Sequence, residues 1–183
     1  MTAQEERWVW IDLEMTGLDP QNDVIIQMAT IITDGEFKEI ASCDFEVWQP
    51  DSALETMGPF VRKMHTKNGL IEKVKKSQYS LADAEQKTLE MVTAHVGYRK
   101  GILAGNSVWQ DRRFLNVYMP TLENYLHYRQ LDVSSFKVCF TTWLGNRGVA
   151  PQKPSTHTAL DDIRQSIDEL KYYKTHFIRG EPI

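Results

Sequence analysis

Hydrophobic and polar side chains alternate from Trp8 to Gly17 as a buried β-strand requires. Trp10, Asp12 and Glu14 fall on one face; Val9, Ile11, Leu13 and Met15 fall on the other. A second apolar run, 24–33, ends at Asp34-Gly35, a hairpin signal. Residues 36–40 and 44–48 then alternate as a third strand or a meander, stopped by Pro50. Residues 57–65 read as a short helix, and Ser80 to Asp83 open a longer one through a capping pattern, with Leu81, Ala84, Thr88 and Val92 as its inward stripe.

Ile102-Leu103-Ala104 is a brief buried strand ended by Gly105-Asn106-Ser107. Across 110–118, Asp111, Phe114, Leu115 and Tyr118 recur at helical spacing, which turns an acid inward. Residues 120–126 predict a short helix and 130–133 a short strand. Ser134 or Ser135 is expected to cap a helix carrying Phe136, Cys139, Phe140 and Trp143 up to Gly145. A loop-like stretch, 146–156, leads past His157 to a final helix with Leu160, Ile163, Ile167 and Leu170. Strands interleaved with helices predict an α/β fold, and the early hairpin makes its sheet mixed.

Composition narrows the function. A chain of 183 residues, 42% hydrophobic, fits one domain over 1–183 with a substantial core. The net charge of −4 argues against holding long nucleic acid by general attraction and leaves room for a short anionic substrate. The local exception is 62–76, where Arg62, Lys63, Lys67, Lys73, Lys75 and Lys76 face only Glu72; a solvated face is the ordinary reading. No apolar run reaches the length of a membrane span or signal sequence, so no membrane association is expected. Cys43 and Cys139 lack metal or Cys-x-x-Cys spacing and read as free thiols, which suits a cytoplasmic protein.

Asp12 and Glu14 point the same way, roughly 7 Å apart by the strand rise. Carboxylates on a buried strand need protons or cations, and a hard divalent metal is the natural counterpart. On this triplet alone, two acids facing water at a strand's end remains open. Asp111 can equally be a carboxylate at a helix N-terminus. In the final helix, Asp161 lies roughly 160° from the centre of the apolar stripe and Asp162 about 100° from it, so Asp162 is the better candidate for a cleft. His157 can converge with it only from the preceding loop. Together Asp12, Glu14, Asp111, Asp162 and His157 suit two-metal hydrolysis of a phosphodiester, with ions roughly 4 Å apart. The histidine would take a proton from the attacking water near neutral pH.

The order Asp12-x-Glu14, Asp111, His157-x-x-x-x-Asp162 resembles the DEDD-type 3′-to-5′ exonucleases of the histidine subclass, whose fold is ribonuclease H-like. Within them the chain is similar to the oligoribonuclease family. The stretch from Trp10 to Leu18, Gly105-Asn106-Ser107, Gln110 to Phe114, Tyr128 to Ser134 and His157 to Arg164 carry the likeness over nearly the whole length. The resemblance implies a homodimeric exoribonuclease that degrades very short RNA, chiefly dinucleotides, to mononucleotides, with two divalent ions, Mg²⁺ or Mn²⁺, and no obligate protein partner. It implies metal binding by Asp12, Glu14, Asp111 and Asp162, with His157 as general base. It further implies base stacking on Leu18 and Phe60, the latter where the family has tryptophan. A cap on the 5′ phosphate would come from Ser107, Arg129, Ser134 and His65, with Tyr128 supplied across the dimer. Two other readings use the same residues: an exonuclease on longer DNA 3′ ends, and a non-catalytic nucleotide binder with a structural ion. The second has no need of clustered negative charge beside a phosphate.

Overall fold

A computed structural model describes residues 6–151 and 158–178. Its centre is a five-stranded sheet built from β1 (Arg7–Met15), β2 (Ile25–Asp34), β3 (Glu39–Glu46), β4 (Ile102–Gly105) and β5 (Gln130–Asp132), in the order β3-β2-β1-β4-β5. The β1–β2 and β2–β3 pairs are antiparallel, and β1–β4 and β4–β5 are parallel. The expected mixed α/β sheet is therefore present. β1 lies in the middle, where its period-two pattern divides the interior into two layers. Val9, Ile11 and Leu13 pack with Phe114, Leu115, Ala84 and Val92 on one face. Those partners come from α4 (Leu81–His95) and α5 (Trp109–Tyr118). On the other face Trp10 packs with Ala29, Ile31, Ile163, Ile167 and Tyr173, the last three from α8 (Ala159–Phe177).

Several boundaries differ from the sequence reading, each for a local reason. The hairpin expected at Asp34-Gly35 is present, with the Phe37 N–H donating to the Asp34 carbonyl at 3.1 Å around Gly35 and Glu36; the positive φ of +66° falls on Phe37, and the Asp34 carboxylate accepts the N–H groups of Glu36 and Lys38. β3 is one continuous strand. The short helix predicted at 57–65 runs Pro59–Lys67 (α2, after the single turn α1, Asp51–Leu54), and a further helix, α3 (Leu70–Lys76), occupies the rest of the basic run. Leu70 and Val74 hold α3 against Ile26, Leu54 and Met57, while Lys73 and Lys75 pair outward with Glu46 and Asp51 at 3.3 and 2.9 Å.

After the short helix α6 (Pro120–Tyr125), β5 stops at Asp132. That residue, not Ser134 or Ser135, caps α7 (Val133–Leu144): its carboxylate accepts the Ser134 N–H at 2.9 Å, while Ser134 and Ser135 lie inside the helix. Gly145 ends α7 as expected, with φ at +60°. In α8 the inward stripe is Ala159, Ile163, Ser166, Ile167, Leu170 and Tyr173; Leu160 is only half-buried. Among the described residues, no helix is long and apolar enough to cross a membrane.

Candidate active site

The site forms because β1 outlasts its parallel neighbour. β4 pairs with β1 only from Trp8 to Trp10, so the end of β1 carrying Asp12 and Glu14 has one edge without a strand beside it. The first turn of α5 fills that gap, and Asp111 accepts the Leu13 N–H at 3.0 Å. A buried amide that would otherwise lack a partner is satisfied by an acid. From the opposite layer the first turn of α8 delivers Asp162. Carboxylate oxygens of Asp12, Glu14 and Asp162 all lie within 4.8 Å of one another. Asp111 stands outside that trio. Asp161 takes a different direction, accepting from the Thr158 hydroxyl at 3.1 Å and facing Arg164 at 3.7 Å.

Bringing like charges together inside a protein makes each harder to ionise. Burial, then the charges of Asp111, Glu14 and Asp162, push Asp12 well above the usual carboxylate range. Burial, then Asp162 and Asp111, push Glu14 up to about 7. Asp111 also rises to about 7, chiefly by burial, against the lowering effect of the Leu13 N–H and its own backbone N–H. Closely set oxygen donors that resist ionising alone are the arrangement a hard divalent cation relieves, so the acid group fits divalent metal binding.

Around these acids the other sequence-predicted residues fall into three groups. His65, from α2, is buried, with Nε2 3.2 Å from the Met15 carbonyl oxygen and 3.8 Å from Glu14, while Nδ1 has no hydrogen-bond partner. Burial lowers its pKa, so the ring is neutral near pH 7. Leu18 and Phe60 are large apolar side chains left 68% and 79% exposed. Ser107, with φ at +50°, donates its N–H to the Asp132 carboxylate at 2.9 Å and to Ser134 Oγ at 2.8 Å. The two serine hydroxyls are 3.1 Å apart. Tyr128 and Arg129 are exposed, the guanidinium 5.5 Å over the phenol ring. His157 lies outside the described residues.

Asn106, in sequence only the middle of Gly105-Asn106-Ser107, is central to the site. Asn106 accepts from Ser134 Oγ at 3.1 Å and donates to Ser166 Oγ at 2.9 Å and to Glu169 at 3.1 Å. Ser166 in turn donates to the Asp162 carbonyl at 3.0 Å. The serine pair and the helix bearing Asp162 are thus joined through one amide. A polar residue directly after a buried strand was the available signal, but its partners come from two helices far along the chain. The cleft of about 780 Å³ above it is lined by Asp12, Glu14, Asp162, Asn106, Glu169 and Lys137, among others.

Comparison with known proteins agrees with this geometry. Residues 9–170 match the family model described as Exonuclease. The chain is 48% identical over 176 residues to an oligoribonuclease of Pseudomonas savastanoi pv. phaseolicola, covering 96% of this chain and 98% of that one. It is 46% identical over 180 residues to an oligoribonuclease of Bordetella pertussis, covering 98% and 99%. Among solved structures, E. coli Exonuclease I in complex with a dT13 oligonucleotide superposes with a TM-score of 0.69 at 21% identity. That match covers 93% of this chain and 41% of Exonuclease I, and it shows a common fold.

Proposed function

The chain belongs to the oligoribonuclease family of exonucleases, and on that footing we propose that it is a 3′-to-5′ exoribonuclease hydrolysing very short RNA, chiefly dinucleotides, to mononucleotides. The observation that carries this reading is the convergence of Asp12, Glu14 and Asp162 from β1 and α8 to within 4.8 Å. In the proposed site these residues and Asp111 hold two divalent ions, Mg²⁺ or Mn²⁺. Bound there, the ions would stabilise the charge that develops on the attacking and leaving oxygens.

The protein's own groups do the rest. His157 accepts the proton of the attacking water. Asp111, tied to the Leu13 amide, fixes the end of β1 so that Asp12 and Glu14 keep their spacing. Leu18 and Phe60, apolar side chains presented to solvent, stack the substrate bases. Ser107, Ser134, Arg129 and His65, with Tyr128 of the partner subunit in a homodimer, cap the 5′ phosphate. A few placed donors suffice for one small anion, which is how a chain of net charge −4 can bind RNA fragments. We take the whole chain as one exonuclease domain working in the cytoplasm. The free thiols of Cys43 and Cys139 suit that compartment.

The test is a length series. With Mn²⁺, purified protein is expected to convert 5′-labelled dinucleotides at least about tenfold faster than ten-mers, the margin one well-placed phosphate cap supplies. Equal or slower dinucleotide cleavage would overturn the reading. A degradation ladder on single-stranded DNA would instead favour an exonuclease acting on longer 3′ ends.

A further inference from the structure

We propose that Gln110 and Arg113 are positioning residues that fix Leu18 as a rigid platform for the substrate base, so that one helix sets the distance between the acids and the stacking surface. The inference rests on the function proposed above. Leu18 sits in the connection between β1 and β2, 68% exposed, where a loop side chain would ordinarily be mobile. Its carbonyl is held twice from α5: Gln110 Nε2 donates at 2.6 Å and an Arg113 guanidinium N–H donates at 3.3 Å. Arg113 also donates to Gln110 Oε1 at 2.9 Å, which orients the amide, and its guanidinium lies 5.6 Å over the Trp109 ring.

The far side of the same loop is tied as well. Thr16 Oγ1 donates to the Asp23 carboxylate at 3.1 Å, the Asp19 N–H donates to it at 3.0 Å, and the Tyr118 hydroxyl donates to the Asp23 carbonyl at 2.7 Å. Three α5 side chains therefore grip a loop whose own apolar residue points into solvent. Between them on the helix stands Asp111, bonded to the strand that carries Asp12 and Glu14. Leu18 buries little, so its own packing does not hold its position and the bonds from α5 do. Bracing makes sense when the leucine must meet something at a set distance from the acids. A base stacked there loses less affinity to ordering the site, since the loop is already ordered.

The experiment compares diadenylate with the same sugar–phosphate dimer lacking both bases, in the Mn²⁺-loaded enzyme. Wild type is expected to prefer diadenylate in kcat/KM. In a Gln110→Leu, Arg113→Ala double variant that preference is expected to shrink about tenfold, in line with the loss of one stacking contact, the change appearing mainly in KM. Arg113→Lys, which retains a donor, is expected to restore most of it. If the double variant does not fold, Gln110→Ala on the half-exposed helix surface provides the same comparison. A preference unchanged from wild type, whatever happens to the absolute rate, would overturn the positioning role while leaving the nuclease reading intact. Failure of wild type itself to cleave diadenylate would overturn both.

Discussion

Glu14 is an acid that folding discourages from ionising, and this has a measurable sign. Its pKa rises from an ordinary 4.5 to about 7 on folding. The native state therefore binds more protons than the unfolded state between those values. Stability from this group is at its fullest below about pH 4.5 and is lost as pH rises through 7. In EDTA the melting temperature is expected to fall between pH 5 and pH 8. Glu14→Gln should flatten part of that slope, and Mn²⁺ at pH 8 should reverse it in wild type. A wild-type slope equal to that of Glu14→Gln would contradict this account, and calorimetry at a few pH values decides it. His157→Ala, with folding and Mn²⁺ binding retained, is expected to lower kcat by about 10²-fold or more in single-turnover assays. At this scale the sequence is informative wherever a residue's direction follows from its own element. Strand parity aligns Asp12 with Glu14, and helix angle favours Asp162 over Asp161. Asn106 was illegible because its importance lies in Ser134, Ser166 and Glu169 arriving around it.

Among the elements, α4 states its own beginning. Ser80 Oγ accepts the Asp83 N–H at 3.2 Å, and the Asp83 carboxylate accepts the Ser80 N–H at 2.8 Å. This is a reciprocal box that sequence alone displays. Ser80→Ala is expected to cost about 1 kcal/mol in urea unfolding, with the slope unchanged. α3 was hidden for the opposite reason. It is seven residues long, only Leu70 and Val74 are buried with Ile71 half-buried beside them, and lysines dominate its surface, so periodicity has too few apolar positions to register. The cap of α7 was misplaced by two or three residues because two serines after Asp132 offer equally plausible oxygens, and only the bend from β5 decides between them.

For the molecule as a whole, the unbalanced helix is α7. Its sequence is apolar, yet only Val133 is buried; Val138 and Trp143 are left 64% and 69% exposed. Such a surface matches the homodimer proposed above. Trp143→Glu is expected to shift light-scattering mass from dimer to monomer and to reduce dinucleotide turnover by removing the partner's Tyr128. A monomeric wild type would dispose of that expectation. The mixed sheet was readable from the hairpin and the helix-spaced segments, and so was the shortness of β4, which ends at Gly105; the register that sets β4 beside Trp8 to Trp10 only was not, since nothing in Ile102 to Gly105 announces which part of β1 it meets. Only Asn106, Ser107 and Val108 separate β4 from α5, so an extra residue there has little slack to take it up and would shift where the helix begins. Such a shift would act on the Asp111–Leu13 and Gln110–Leu18 bonds together, since both depend on the first turn of α5. The length of this connector, more than its composition, is what ties the acid cluster to the exposed leucine.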